Sequence, residues 1–185
     1  MIYELRHYKF TPENWSKYLK LFNDKCLPIR LDNYGILKGK WNIEQDGYIH
    51  FYHLWQYESL EHRHLLRQEL AKIQSWQEDF IQYAAPLIHE QDLKVLNLTD
   101  RNNNFNFQRN LNIYEIDCKV STLKNVINSV AENNKDNIQL NIVEFPNPNE
   151  IILFSESQKN IENLNIKNIK HTTLKMIGFV AQTYL

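Results

Sequence analysis

The chain has 185 residues, 43% hydrophobic and 12% aromatic, with 21 basic and 22 acidic side chains and a formal net charge of −1. That apolar content can bury a real core, which excludes disorder as the default. The even charge balance gives no long-range field to gather nucleic acid or an anionic membrane, so neither is expected as a partner.

Residues 2–10 alternate and are rich in aromatic and aliphatic side chains, as a strand should be. A secretory signal would instead open on basic residues followed by a longer apolar stretch. Thr11 is placed to cap a helix, with Pro12 at its first position, where a missing N–H costs nothing. Trp15, Tyr18, Leu19, Phe22 and Cys26 recur at helical spacing, and Pro28 is expected to kink or end that helix. Residues 36–44 and 48–57 read as strands joined by Gln45-Asp46-Gly47, whose Asp-Gly is a strong hairpin signal. Ser59 begins a second helix marked by Leu60, Arg63, Leu66, Leu70, Ile73, Trp76 and Phe80, with Pro86 near its end. Residues 91–98 close the unit as a strand.

Composition shifts near Asn97. Asn14, Asn23, Asn33 and Asn42 alone precede it, whereas asparagine is abundant afterwards, and all four tryptophans lie before it. The polar stretch 99–110 is expected to be a linker between a first domain, 1–98, and a second, 111–185. In the second, Ile113-Tyr114-Glu115-Ile116 echoes Ile2-Tyr3-Glu4-Leu5, and the same elements follow: a helix from Ser121 to Asn134, strands 138–145 and 150–155, a short helix over 157–168 and a strand over 171–180. The expected fold class is therefore α+β, with two tandem ferredoxin-like β-α-β-β-α-β units. One face of each sheet packs on helices. The other face needs a partner, which the second unit can supply by closing an α+β barrel.

The first half resembles the NIPSNAP family, through Ile2-Tyr3-Glu4-Leu5-Arg6-His7-Tyr8 with Thr11-Pro12, Leu27-Pro28 and Gly39-Lys40-Trp41. The most specific stretch is His53-Leu54-Trp55-Gln56-Tyr57-Glu58-Ser59-Leu60, followed by Arg63, Arg67 and Trp76. The resemblance covers roughly residues 1–98 and implies a dimeric α+β barrel, with no settled reaction. Aligned on the echo, Asp117 and Cys118 stand where Arg6 and His7 stand, so any site is expected mainly in the first half.

Glu4, Arg6 and Tyr8 share one face of the first strand, and His53, Trp55 and Tyr57 share one face of the third. If both faces point into the barrel, they line a pocket for a small organic ligand held between the two sheets. Arg6 would fix a carboxylate or enolate, and His53 is the candidate general base. The plainer alternative pairs Glu4 with Arg6 and makes Trp55 and Tyr57 core. It weighs more for catalysis. Ligand contact is favoured by two charged residues in the middle of a central strand. Whether any reaction is catalysed stays open.

The class alternatives are an enzyme and a protein-interaction module. Relatives of this barrel imply cofactor-independent oxygenation, or haem with His53 as axial ligand; otherwise no cofactor is expected. Metal binding is not expected, because His50 and His53 point to opposite strand faces, and His62 and His64 diverge on their helix. Cys26 and Cys118 show no disulfide or zinc spacing, and Cys26 reads as a buried thiol. Arg63 and Arg67, one turn apart, could form an anion-binding edge, but neighbouring Glu61 and Glu69 make a solvated, salt-bridged face the default. A homodimer or an intramolecular pseudo-dimer fits the plan, and the expected location is cytoplasmic.

Overall fold

The alternation of residues 2–10 sets the architecture. They form strand β1 (Ile2–Phe10), which turns Tyr3, Leu5 and His7 to one side and Ile2, Glu4, Arg6, Tyr8 and Phe10 to the other. The computed structural model describes residues 1–99, 105–133, 138–161 and 166–178. The Thr11 hydroxyl accepts from the Asn14 N–H and caps α1 (Pro12–Leu21). That helix outlasts Pro28: it widens into a π turn (Phe22–Cys26) and continues as α2 (Leu27–Arg30). The wider turn makes room for a proline ring that would press on the carbonyl one turn earlier. Gly35, at φ 101°, brings the chain back; a Cβ there would lie 2.6 Å from the Tyr57 ring.

β2 (Ile36–Gln45) and β3 (Tyr48–Tyr57) form the expected hairpin. Asp46 and Gly47 both take positive φ, 53° and 77°, as a type I′ turn requires. Ser59 caps α3 (Leu60–Leu70) through the His62 N–H. The spacing predicts one helix to Phe80, but the run breaks after Leu70 and resumes as a π turn (Trp76–Ile81) and α4 (Gln82–Ala84). β4 (Glu90–Leu98) follows.

The second half gives β5 (Leu111–Cys118), α5 (Leu123–Asn133), β6 (Ile138–Phe145), β7 (Glu150–Ser155) and β8 (Ile166–Met176). No helix occupies the described part of 157–168. Residues 166–168 instead begin β8, where Ile166 and Asn168 pair with Cys118 and Asp117, so the β5 ladder holds that backbone extended. Positions 134, 162–165, 179 and 180 of the predicted elements lie outside the described residues.

The strand order is β1-β3-β2-β8-β5-β7-β6-β4, closed by β4 on β1, with every neighbour antiparallel. Each half supplies its four strands in the ferredoxin-like spatial order, so the protein is an α+β barrel of two such units. The seams are Trp41–Asn42 against Lys175–Met176 and Val95–Leu98 against Asn141–Phe145. The tetrapeptide echo is out of phase with the barrel. Ile113 packs with Tyr3 and Leu5, while Tyr114 faces α5, so the aligned residues point oppositely.

One end of the lumen is an apolar plug of Tyr3, Leu5, Trp41, Leu54, Leu96, Ile113, Phe154 and Leu174. Phe107 enters it from the expected linker, its ring 5.6 Å from Tyr3 and 5.3 Å from Phe154. Trp41 Nε1 donates to the Arg109 carbonyl at 2.8 Å. Within 105–110 Phe107 thus plugs the barrel while Arg109 and Asn110 are hydrogen-bonded to its rim, so this stretch is docked rather than a free connector, while 100–104 lie outside the described residues. The other end is polar. His7 and His50 meet at 2.9 Å, and Lys94 donates to Glu115 at 2.5 Å and to Glu150, around a cavity of about 320 Å³.

Replacing Phe107 with Ala is expected to cost about 3–5 kcal/mol through lost burial and a residual void, read as a lower denaturant midpoint. Burial, with His50 and Lys170 nearby, pushes the His7 pKa down to about 4. The unfolded chain therefore binds more protons as pH drops below about 6.5, and stability falls toward pH 4. His7→Gln should lose less stability than the wild type between pH 7 and 5, measured by urea unfolding at each pH.

Candidate functional site

Residues of opposite parity to the lumen form the site. Across β1 and β3, Glu4 pairs with Trp55, Arg6 with His53 and Tyr8 with Phe51. The predicted set Glu4, Arg6, Tyr8, His53, Trp55 and Tyr57 therefore shares one face. That face does not point into the barrel, as expected from sequence, but outward beneath the helices. Tyr8, Phe51, Trp55 and Tyr57 pack there with Tyr18, Phe22 and Phe80 of the helical layer. The apolar stripes of the helices require this aromatic surface, which leaves the lumen to the alternate residues.

Between sheet and helices lies a cavity of about 280 Å³. Arg6, Tyr8, His53 and Trp55 form its floor; Tyr18, Phe22, Cys26 and Arg30 form one wall, and Arg67, Leu70, Trp76, Phe80 and Ile81 the other. Both π turns contribute to these walls. Burial pushes the Cys26 thiol up to about 12, so it stays protonated and unreactive.

Glu4 is fully buried behind the floor. It accepts from the guanidiniums of Arg6 and Arg63, with Arg67 4.0 Å away. Burial pushes its carboxyl pKa up, but the three arginines outweigh burial and hold it below the usual range. Arg6 also donates to the Tyr8 hydroxyl at 2.7 Å. Arg30 is 4% exposed; its guanidinium lies 3.6 Å from the Trp55 ring centroid and donates to the Tyr57 hydroxyl at 3.0 Å and to the Tyr34 carbonyl. Its Nε is buried without a hydrogen-bond partner.

His53 is buried, and Trp55 Nε1 donates to its Nδ1 at 2.6 Å. An indole N–H can only donate, so Nδ1 is the acceptor. Burial, reinforced by Arg6 and Arg30, drives the His53 pKa well below its ordinary value. The neutral ring must then carry its proton on Nε2, which is also buried without a partner. The candidate base is a hydrogen-bond donor.

The NIPSNAP sequence profile matches residues 3–101, more than half the chain. This chain belongs to the NIPSNAP family. Human protein NipSnap homolog 3A is 31% identical over 96 residues, which cover 51% of this chain and 38% of that protein. The chain thus spans well under half of the curated relatives it matches. A NIPSNAP-like domain protein of Burkholderia xenovorans is 27% identical with a TM-score of 0.50, over 55% of this chain and 87% of its own. A Fusobacterium nucleatum protein described as a candidate monooxygenase covers 96% of this chain and 92% of its own, with a TM-score of 0.62 and 14% identity, which is likeness of fold.

The cavity lies in the NIPSNAP-matched half. Of the predicted residues, Arg6, Tyr8, His53 and Trp55 line it, whereas Glu4 and Tyr57 stand behind it and hold Arg6 and Arg30. Arg63 and Arg67 do not pair with Glu61 and Glu69 as expected; both turn inward to Glu4. Arg30 escaped the sequence reading. Its signal was present, because Phe22, Cys26 and Arg30 follow one another at four-residue steps and place a guanidinium on the buried stripe. Trp76 and Phe80, which spacing marks as helix faces, form cavity wall. Among the described residues no group of three or more His, Cys, Asp or Glu side chains could hold a metal ion, and no helix is long and apolar enough to cross a membrane.

Removing the Glu4 charge would leave two largely buried guanidiniums without their anion. Glu4→Gln is expected to lower unfolding free energy by about 3 kcal/mol, read from chemical denaturation at pH 7; a shift under half that size would mean solvent already screens the cluster.

Proposed function

We propose that the cavity between the first sheet and its helices binds a small organic anion with an apolar body. The observation that carries this reading is the pair of orphaned donors, Arg30 Nε and His53 Nε2, both buried on side chains that line one cavity. Leaving such a group unsatisfied costs about 1–3 kcal/mol. A ligand oxygen brought against either donor, with a small shift of the side chain that carries it, would remove that cost there.

The wall chemistry supports the same class. Arg6, Arg30 and Arg67 line the cavity, and no carboxylate does among the described residues. Trp55, Trp76, Phe80 and Leu70 supply apolar surface for the ligand body, the usual composition of a small-molecule site. The barrel lumen, where the sequence placed the ligand, offers less. Its cavity is lined by charges already engaged with one another: Lys94 with Glu115 and Glu150, and Lys170 with Glu115 at 3.3 Å.

In this reading Arg6, Arg30 and Arg67 attract the anionic head and His53 donates to it. Glu4 and Tyr57 act through the arginines they hold. The enzyme alternative loses its base, because a His53 that donates from Nε2 cannot also take a proton there. Haem ligation through Nε2 would require the ring proton on Nδ1, against the Trp55 N–H.

Phenylacetate, which joins an apolar ring to one carboxylate, is a suitable probe, and Trp55 and Trp76 are reporters in the wall. Titration should change tryptophan fluorescence saturably. Arg30→Gln, with unchanged circular dichroism, should weaken binding about tenfold, as loss of a charge-assisted contact implies. Absence of saturable binding by folded wild-type protein across a series of aryl and alkyl carboxylates would overturn the proposal.

A further inference from the structure

We infer that the ligand of this cavity carries two negative charges. The inference rests on the anion-binding reading above and adds a valence to it. Its basis is the distribution of charge around the cavity. Arg6 and Arg63 each bond one oxygen of Glu4, so two guanidiniums share a single carboxylate. Their side chains are 12% and 15% exposed, which leaves one positive charge largely shielded from water.

Arg30 adds a second. Its hydrogen-bond partners are a carbonyl and a phenol, its stacking partner is an indole, and it makes no ion pair among the described residues. Arg67 contributes a third charge at the mouth, but its side chain is 47% exposed, so solvent and counter-ions screen it. Burial lowers the Arg67 pKa, and the Arg6 and Arg63 charges lower it further against the pull of Glu4. His53 is neutral and cannot alter the count. A monoanion would leave one shielded guanidinium without a counter-charge, whereas a dianion balances both.

A dicarboxylate and a phosphonate each provide this valence on an apolar body. Benzylsuccinate can be compared with its monoamide, which keeps the shape and removes one charge. Benzylphosphonate above its second ionisation can be compared with its monomethyl ester. The probes are titrated calorimetrically into the full chain at fixed ionic strength.

At least one dianion should bind about tenfold or more tightly than its singly charged counterpart, the scale of one added charge-assisted contact. The pair that shows the gap identifies the head group. In Arg30→Gln that gap should shrink severalfold, whereas Trp76→Leu should weaken both members of the pair alike and preserve it. Monoanions that bind as tightly as their dianions would overturn this inference and leave the anion-binding reading standing. No binding by any probe would remove both. A gap unchanged in Arg30→Gln would assign the second charge elsewhere and overturn the role of Arg30 as its counter-charge.

Discussion

Eight strands closed into a barrel enclose a narrow lumen, and here side chains plug one end of it while paired charges ring the cavity at the other. Tyr3, Trp41, Leu54, Phe107 and Phe154 occupy one end, and mutually paired charges occupy the other. A second cavity, of about 280 Å³, lies outside the barrel wall, between the first sheet and the helices. Strand alternation then assigns the chemistry. The residues of β1 that do not fill the lumen, Glu4, Arg6 and Tyr8, must meet the helices.

Much of the fold was legible because it rests on local signals. The alternation of residues 2–10, the Asp46-Gly47 turn, the Thr11 and Ser59 caps and the second hairpin each specify their element with neighbours alone. The failures depend on distant partners. The backbone at 166–168 is extended because β5 supplies hydrogen bonds more than forty positions away in sequence, and no local periodicity reports that. Phe105 and Phe107 sit in an asparagine-rich stretch that reads as a linker, yet the open barrel end takes Phe107 into its core.

The site was half legible for the same reason. Period-two geometry placed Glu4, Arg6 and Tyr8 together, and His53, Trp55 and Tyr57 together, correctly. It could not say which face was the lumen, because both faces of β1 carry aromatic and aliphatic side chains: Tyr3 and Leu5 on one, Tyr8 and Phe10 on the other. The direction of His53 as donor or acceptor was also hidden. It follows from Trp55, two residues away on the same face, whose N–H has no choice but to donate.

The second half builds the same sheet without the same charges on its outer face. There Tyr114, Ile116 and Cys118 pack on Val126 and Val130 of α5, a purely apolar contact apart from the tyrosine hydroxyl. Its acidic residue in the echoed tetrapeptide, Glu115, falls on the lumen side and binds Lys94 and Lys170. Glu4, one face over in the first half, binds Arg6 and Arg63 beneath a cavity. The difference is one of satisfaction. Around Glu115 two lysines meet two carboxylates, and the charges close on themselves. Around Glu4 the guanidiniums outnumber the carboxylate, and Arg30 and His53, on side chains that line the neighbouring cavity, each keep a buried N–H without a partner. A carboxylate that holds cations in place without cancelling them leaves surplus positive charge beside a cavity in the first half, whereas the ionic cluster of the second half closes on itself.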